Sequence, residues 1–196
     1  MRKYLFAAIV SGAAVAVSSP VAAQDTTPFS GLRVEGLVGY DTTDVEGEGS
    51  DGVVYGAQAG YDFQSNGAVF GVEGEVGDST VDECVGGVVV AGDTLCADAG
   101  RDLYVGGRVG AALGRNVLAY GKVGYTNARF RLDYEDGTAA TANDFSVAEN
   151  LDGVRAGAGL EFALGPNSYA KTEYRYSNYE QGFDRHQVVA GFGFRF

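Results

Sequence analysis

The chain has 196 residues with 31 Gly against 3 Pro, no Trp, 2 Cys and 45% hydrophobic side chains. So much Gly excludes an ordinary helical domain, and so much apolar content excludes a disordered chain. Acidic residues outnumber basic ones 26 to 14, a formal charge of −12, and no basic patch offsets a field that repels phosphate backbones, which argues against nucleic acid as a partner.

At the N-terminus, Arg2 and Lys3 precede an uncharged run from Leu5 to Val17, then Pro20-Val21-Ala22-Ala23. A positive end, a short apolar stretch and small residues at Val21 and Ala23 predict a secretory signal over residues 1–23, cut before Gln24, with residues 24–196 as one domain. The stretch is too short to span a bilayer comfortably, which disfavours a permanent anchor. Loss of Arg2 and Lys3 takes the formal charge from −12 to −14.

No later run approaches the ~20 apolar residues of a membrane helix, but the sequence alternates with period two, the mark of strands. The first strand, Arg33 to Asp41, sets Val34, Gly36, Val38 and Tyr40 against Arg33, Glu35, Gly39 and Asp41, with Leu37 an apolar intruder. The second, Val53 to Gln64, places Asp62 opposite Tyr61 and Phe63, and the third, Ala68 to Gly77, places Glu73 and Glu75 opposite Phe70, Val72 and Val76. The fourth, Asp102 to Leu113, sets Asp102, Tyr104 and Arg108 against Leu103, Val105 and Val109. The fifth, Val117 to Arg131, turns Lys122 inward and Val123 and Tyr125 outward, with Phe130 on the wrong face unless a bulge near Asn127 corrects the register. The sixth, Gly153 to Leu164, sets Arg155 and Glu161 against Val154, Leu160 and Phe162. The seventh, Tyr169 to Tyr179, carries Lys171, Glu173 and Arg175 on one face, and the eighth, about His186 to Phe196, sets Arg195 against Phe192, Phe194 and Phe196.

Short turns at Ser65–Gly67, Gly114–Asn116 and Gly165–Ser168 alternate with longer acidic connections at about Asp41–Gly52, Asp78–Gly100, Leu132–Leu151 and Glu180–Arg185. This layout, with an apolar face that is stable only against lipid, predicts an all-β, eight-stranded antiparallel up-and-down transmembrane β-barrel, closed because lipid tolerates no open sheet edge. The polar face becomes the interior. There Glu35, Asp62, Glu73, Glu75, Asp102, Glu161 and Glu173 meet Arg33, Arg108, Lys122, Arg155, Lys171, Arg175 and Arg195, seven of each sign. Balance in a confined lumen implies mutual pairing, since an unpaired buried ion costs several kcal/mol. Tyr40, Tyr61, Tyr125, Tyr174, Tyr176, Phe192, Phe194 and Phe196 sit toward strand ends, as interfacial girdle residues do.

The signal, the eight alternating strands, the segment Lys171-Thr172-Glu173-Tyr174-Arg175-Tyr176 and the final Phe192-Gly193-Phe194-Arg195-Phe196 resemble the small outer-membrane barrels of the OmpA-like and opacity-porin type. The resemblance covers essentially all of the mature chain. It implies the outer membrane of a Gram-negative bacterium, a surround of membrane lipid and lipopolysaccharide, and a C-terminal signal of Phe192, Phe194 and Phe196 read by the barrel-assembly machinery.

Cys84 and Cys96 lie in the second long connection of a chain bound for an oxidising compartment, so a disulfide is expected; two free thiols or a two-cysteine metal site are the alternatives. The Val88-Val89-Val90 run between them reads as a short hairpin or a contact patch. The acidic connection from Asp41 to Asp51 suggests calcium, but counting from Asp44 puts Tyr55 where an EF-hand needs Glu, so a solvated tip is the better reading. Ser177, Glu180 and His186 flank one connection and raise a lipid A hydrolase reading, with nothing placing a nucleophile beside its base. The expected function is a non-enzymatic structural and surface-interaction role through four loops, with no cofactor and no resident metal. The rivals are a narrow path for ions or small solutes and a soluble ligand-binding barrel.

Overall fold

A computed structural model describes residues 28–45, 48–80, 82–87, 93–135, 145–180 and 184–196. The expected signal segment, residues 1–23, and Val88-Val89-Val90 lie outside the described residues. Nine strands follow in chain order: β1 (Gly31–Val45), β2 (Glu48–Ser65), β3 (Ala68–Ser79), the short β4 (Asp82–Gly86), β5 (Thr94–Ala112), β6 (Val117–Glu135), β7 (Phe145–Ala163), β8 (Ser168–Tyr179) and β9 (Asp184–Arg195).

Consecutive strands pair antiparallel except β3 and β4, which do not pair with each other; β1 pairs with β9, and β3 pairs with β5. These pairings close eight strands into a barrel and leave β4 outside it, paired to the far end of β5. The register fixes the barrel's shape. From Arg33 the partners run through Gly60, Glu73, Gly106, Gly124, Arg155, Ser177 and Arg185, returning to β1 at Thr43, ten residues on. With ordinary strand spacings, that stagger over eight strands tilts them by about 40° and sets a backbone radius of about 8 Å. Side chains can fill such a bore.

The short turns gather at one end. Asn66 and Gly67 have φ of 48° and 86°, the left-handed pair of a two-residue hairpin, which Asn-Gly adopts at little cost. At the other end the hairpins run further than alternation suggests. β1 reaches Val45 and β2 starts at Glu48, β5 starts at Thr94, and β6 and β7 extend to Glu135 and from Phe145. Segments expected to be loops are therefore partly paired strand. Beyond the membrane both faces of a hairpin are wet, so ladder hydrogen bonds persist where the apolar alternation has stopped.

The fifth strand corrects a second expectation. β6 pairs with β7 without interruption through Asn127, and the irregularity lies across from it, on β5 between Ala99 and Asp102. The side chain of Phe130 lies outside the described residues.

Polarity is inverted. Leu160 and Phe162 are 38% and 39% exposed, whereas Arg155 and Glu161 between and beside them are 0% exposed. Val34, Val38, Phe70, Val72, Val105, Val109, Val123, Val188 and Phe192 also face outward.

Candidate functional site in the lumen and at its rim

All seven acids and seven bases placed inside by alternation are buried, and each makes at least one ion pair. They form three connected tiers. Near the short-turn end, Asp62 lies 3.1 Å from the Arg33 guanidinium and accepts from Arg108 at 2.9 Å and Arg195 at 2.8 Å, and Arg195 reaches on to Glu161 at 2.7 Å. In the middle, Lys122 lies 2.9 Å from both Glu73 and Glu173, and Lys171 joins Glu35 and donates to Gln58 at 3.0 Å. Above them Arg175 bridges Glu75 at 2.6 Å and Glu173, while Arg155 joins Asp102 and donates to Ser177 at 2.8 Å.

A further ion pair tops the stack. Arg185 donates to Asp41 at 2.8 Å and lies 3.2 Å from Asp102; the Ser79 hydroxyl donates to Asp41 at 2.7 Å. Alternation leaves Arg185 in the last connection, but it shares the inward face of β9 with Gln187, so Asp41 and Arg185 add one charge of each sign and the lumen stays balanced. At the opposite end Phe29, just ahead of β1, tucks fully buried against Val69, Leu118 and Tyr120. Its backbone N–H donates to Gln64 at 3.0 Å, making a small apolar plug.

Tyrosines fill the remaining space. Tyr120 donates to Glu173 at 2.6 Å and Tyr169 to Glu35 at 2.7 Å. Tyr104 lies with its ring centroid 4.5 Å from the Lys122 ammonium, a cation–π contact between two buried side chains. Its ring lies over Gly106 and Gly124: a Cβ at Gly106 would meet the ring's Cζ at 2.6 Å, and one at Gly124 would meet Cε2 at 2.8 Å. These two glycines are missing side chains that the aromatic ring needs gone.

Outside, Tyr40, Tyr61, Tyr125, Tyr174, Phe192, Phe194 and Phe196 are exposed, and Tyr176 packs on His186 with centroids 5.1 Å apart. Phe192 and Phe194 meet edge-to-face at 5.4 Å. His186 shares a hydrogen bond with the Tyr174 hydroxyl at 2.7 Å on this outer face, whereas Ser177 is fully buried in the lumen on Arg155. The two lie on opposite faces of the wall, so His186 has no path to the Ser177 hydroxyl proton. Among the described residues no group of three or more His, Cys, Asp or Glu could hold a metal ion. Asp41 from the acidic first connection is inside the barrel, and Asp51 accepts from the Thr42 hydroxyl at 3.1 Å. Cys84 and Cys96 sit opposite each other in the β4–β5 register and form a disulfide.

An apolar outer wall, a closed sheet and an ionised interior together require lipid around the molecule. A family model described as the outer membrane protein beta-barrel domain matches residues 11–196. The chain belongs to that family. It is an outer-membrane β-barrel protein and so is located in the outer membrane. It is 31% identical over 141 residues to a 25 kDa outer-membrane immunogenic protein of Brucella ovis, a match covering 72% of this chain and 62% of the relative's length. The same barrel fold is found in the attachment invasion locus protein Ail of Yersinia pestis, solved with the heparin analogue sucrose octasulfate, at a TM-score of 0.56 and 18% identity, over 85% of this chain and 99% of that one. Neisserial surface protein A shares it at a TM-score of 0.59 and 16% identity, over 85% of this chain and 98% of its own. In this family the short-turn end is periplasmic and the long hairpins are extracellular.

Proposed function

We propose that this barrel is a non-conducting, non-enzymatic scaffold that fixes its four hairpins at the cell surface for interaction with other molecules. The observation that carries this reading is the lumen: Arg33, Arg155 and Arg175 are 0% exposed inside a bore of ion pairs, so an ion crossing it must break several buried charge pairs at once. In planar bilayers the purified protein is expected to show no steady unitary conductance at 1 M KCl. Regular single-channel steps that persist in Asp62→Asn and Arg155→Gln variants with altered size would establish the narrow-pore reading instead.

The non-enzymatic part is supported by the separation of Ser177 from His186 across the wall. Residues 1–23 serve as the export signal, and Phe192, Phe194 and Phe196 as the pattern read by the assembly machinery. Lipopolysaccharide is the expected outer-leaflet neighbour. The hairpins hold most of the chain's surplus acid, so a cationic surface suits them better than the polyanion seen with Ail. Long-range attraction of that kind weakens as salt rises.

A further inference from the structure

The irregularity on β5 leaves Gly100 and Arg101 facing Arg129 of β6, outside the regular pairing. Such a bulge re-aims the side chains it carries. Arg101 and Arg129 are both exposed, and a Cβ at Gly100 would lie 3.2 Å from the Arg129 carbonyl oxygen, so the two strands touch here. Like charges brought side by side across a strand pair repel each other. Among the described residues neither guanidinium has an ion-pair partner. Arg101 makes one long contact, donating to Asn127 at 3.5 Å. The Asp152 carboxylate on the same face is already engaged by the Tyr125 hydroxyl at 2.5 Å and the Asn127 amide at 2.6 Å. Arg131 stands further out along β6, two residues beyond Arg129 and away from the bulge.

Height supplies the second argument. Arg101 follows the apolar stripe of β5 two residues beyond Leu103, and Arg129 follows that of β6 four residues beyond Tyr125. At about 3.3 Å per residue and about 40° of tilt, they stand about 5 and 10 Å above those residues. The headgroup layer extends about 5–8 Å beyond the hydrocarbon on each side of a bilayer. Long arginine stems can bend within that layer, and a guanidinium fork matches phosphate oxygens two at a time.

We propose that Arg101 and Arg129 form a clamp on the outer wall for the phosphate of an outer-leaflet glycolipid. The clamp rests on the proposed lipopolysaccharide neighbour and on the hairpin end being extracellular; it adds the residues and the recognised group. The free anion supplies the missing counter-charge and relieves the repulsion between the two side chains.

The test uses the full chain in detergent, with native mass spectrometry reading the fraction carrying bisphosphorylated lipid A. Arg101→Gln/Arg129→Gln is expected to lower that fraction about tenfold, with Arg101→Lys/Arg129→Lys retaining part of it. Arg115→Gln, exposed in a periplasmic turn, is expected to bind like the parent, and dephosphorylated lipid A is expected to bind the parent as poorly as the double variant does. Heat-modifiable migration checks that every variant is folded. Equal binding by the double variant, or equal binding of dephosphorylated lipid A, overturns the clamp. Displacement of lipid A by millimolar inorganic phosphate overturns the lipid as the source of the anion. Protease on intact cells tests the orientation separately: uncut hairpins would sink that premise even if the binding result held.

Discussion

Asp62 is the most heavily used carboxylate at the periplasmic end, with Arg33, Arg108 and Arg195 at 2.8–3.1 Å by the contacts given above. Replacing it with Ala leaves three buried guanidiniums and an uncompensated positive charge. Removing one partner of a buried pair costs about 3–5 kcal/mol. Here each arginine keeps a second carboxylate, Glu73 for Arg33 and Glu161 for Arg108 and Arg195, so the loss falls at the lower end, about 3 kcal/mol. Asp62→Asn keeps the volume and one acceptor and should cost about 1.5 kcal/mol. Adding Arg195→Gln to Asp62→Ala restores charge balance and should recover about 1 kcal/mol, because the two sites couple directly. The chain has no Trp, so urea titrations in lipid vesicles are followed by far-ultraviolet circular dichroism and by the gel shift of the folded barrel. If Asp62→Ala lies within about 0.5 kcal/mol of the parent, as a solvated surface change would, the lumen is wet and the network argument fails.

Two substitutions probe the two faces of one strand. Gly106→Ala puts a methyl into the Tyr104 ring and 2.6 Å from the Val123 carbonyl oxygen; we expect a loss of about 1–3 kcal/mol by the same titration, relieved in part by Tyr104→Ala, and additivity of the two changes would refute the contact. Val109, outward and near the middle of the apolar stripe of β5, should cost about 2–4 kcal/mol as Val109→Arg, whereas a neutral effect in vesicles would mean that this face does not meet lipid.

The parts of this molecule that show in its sequence are those where one face of a strand is greasy and the other is not. Leu160 and Phe162 against Arg155 and Glu161 leave little choice of which side faces out, and that parity carries the fourteen lumen charges with it. Arg185 escaped because it stands near a strand end, where the apolar side of the alternation fades and a charged residue reads as loop. The position of Arg101 depends on a register slip between β5 and β6, a property of two segments together that no single window contains. The hairpin extensions are invisible because the period-two apolar signal stops before the pairing does: Thr43 pairs with Ser50, and neither residue is apolar. Phe29 is one apolar residue with no periodic neighbours, and only the narrow bore shows why it turns inward. The abundance of Gly was legible as a sign of crowding; which Gly lies beneath which Tyr was not, because that follows from cross-strand pairing.

The strands differ in length around the circumference: β5, β6 and β7 have 19 residues each, while β8 and β9 have 12. Seven extra residues at the tilt of this barrel raise one side of the wall by about 18 Å over the other. The outward-facing mouth is thus a sloping parapet, with β4 riveted by a sulfur bridge to its tall side. A large visitor approaching from outside the cell meets that tall quadrant first, so antibodies raised against intact cells should concentrate on β4 to β7 and seldom on the low shoulder at β8 and β9.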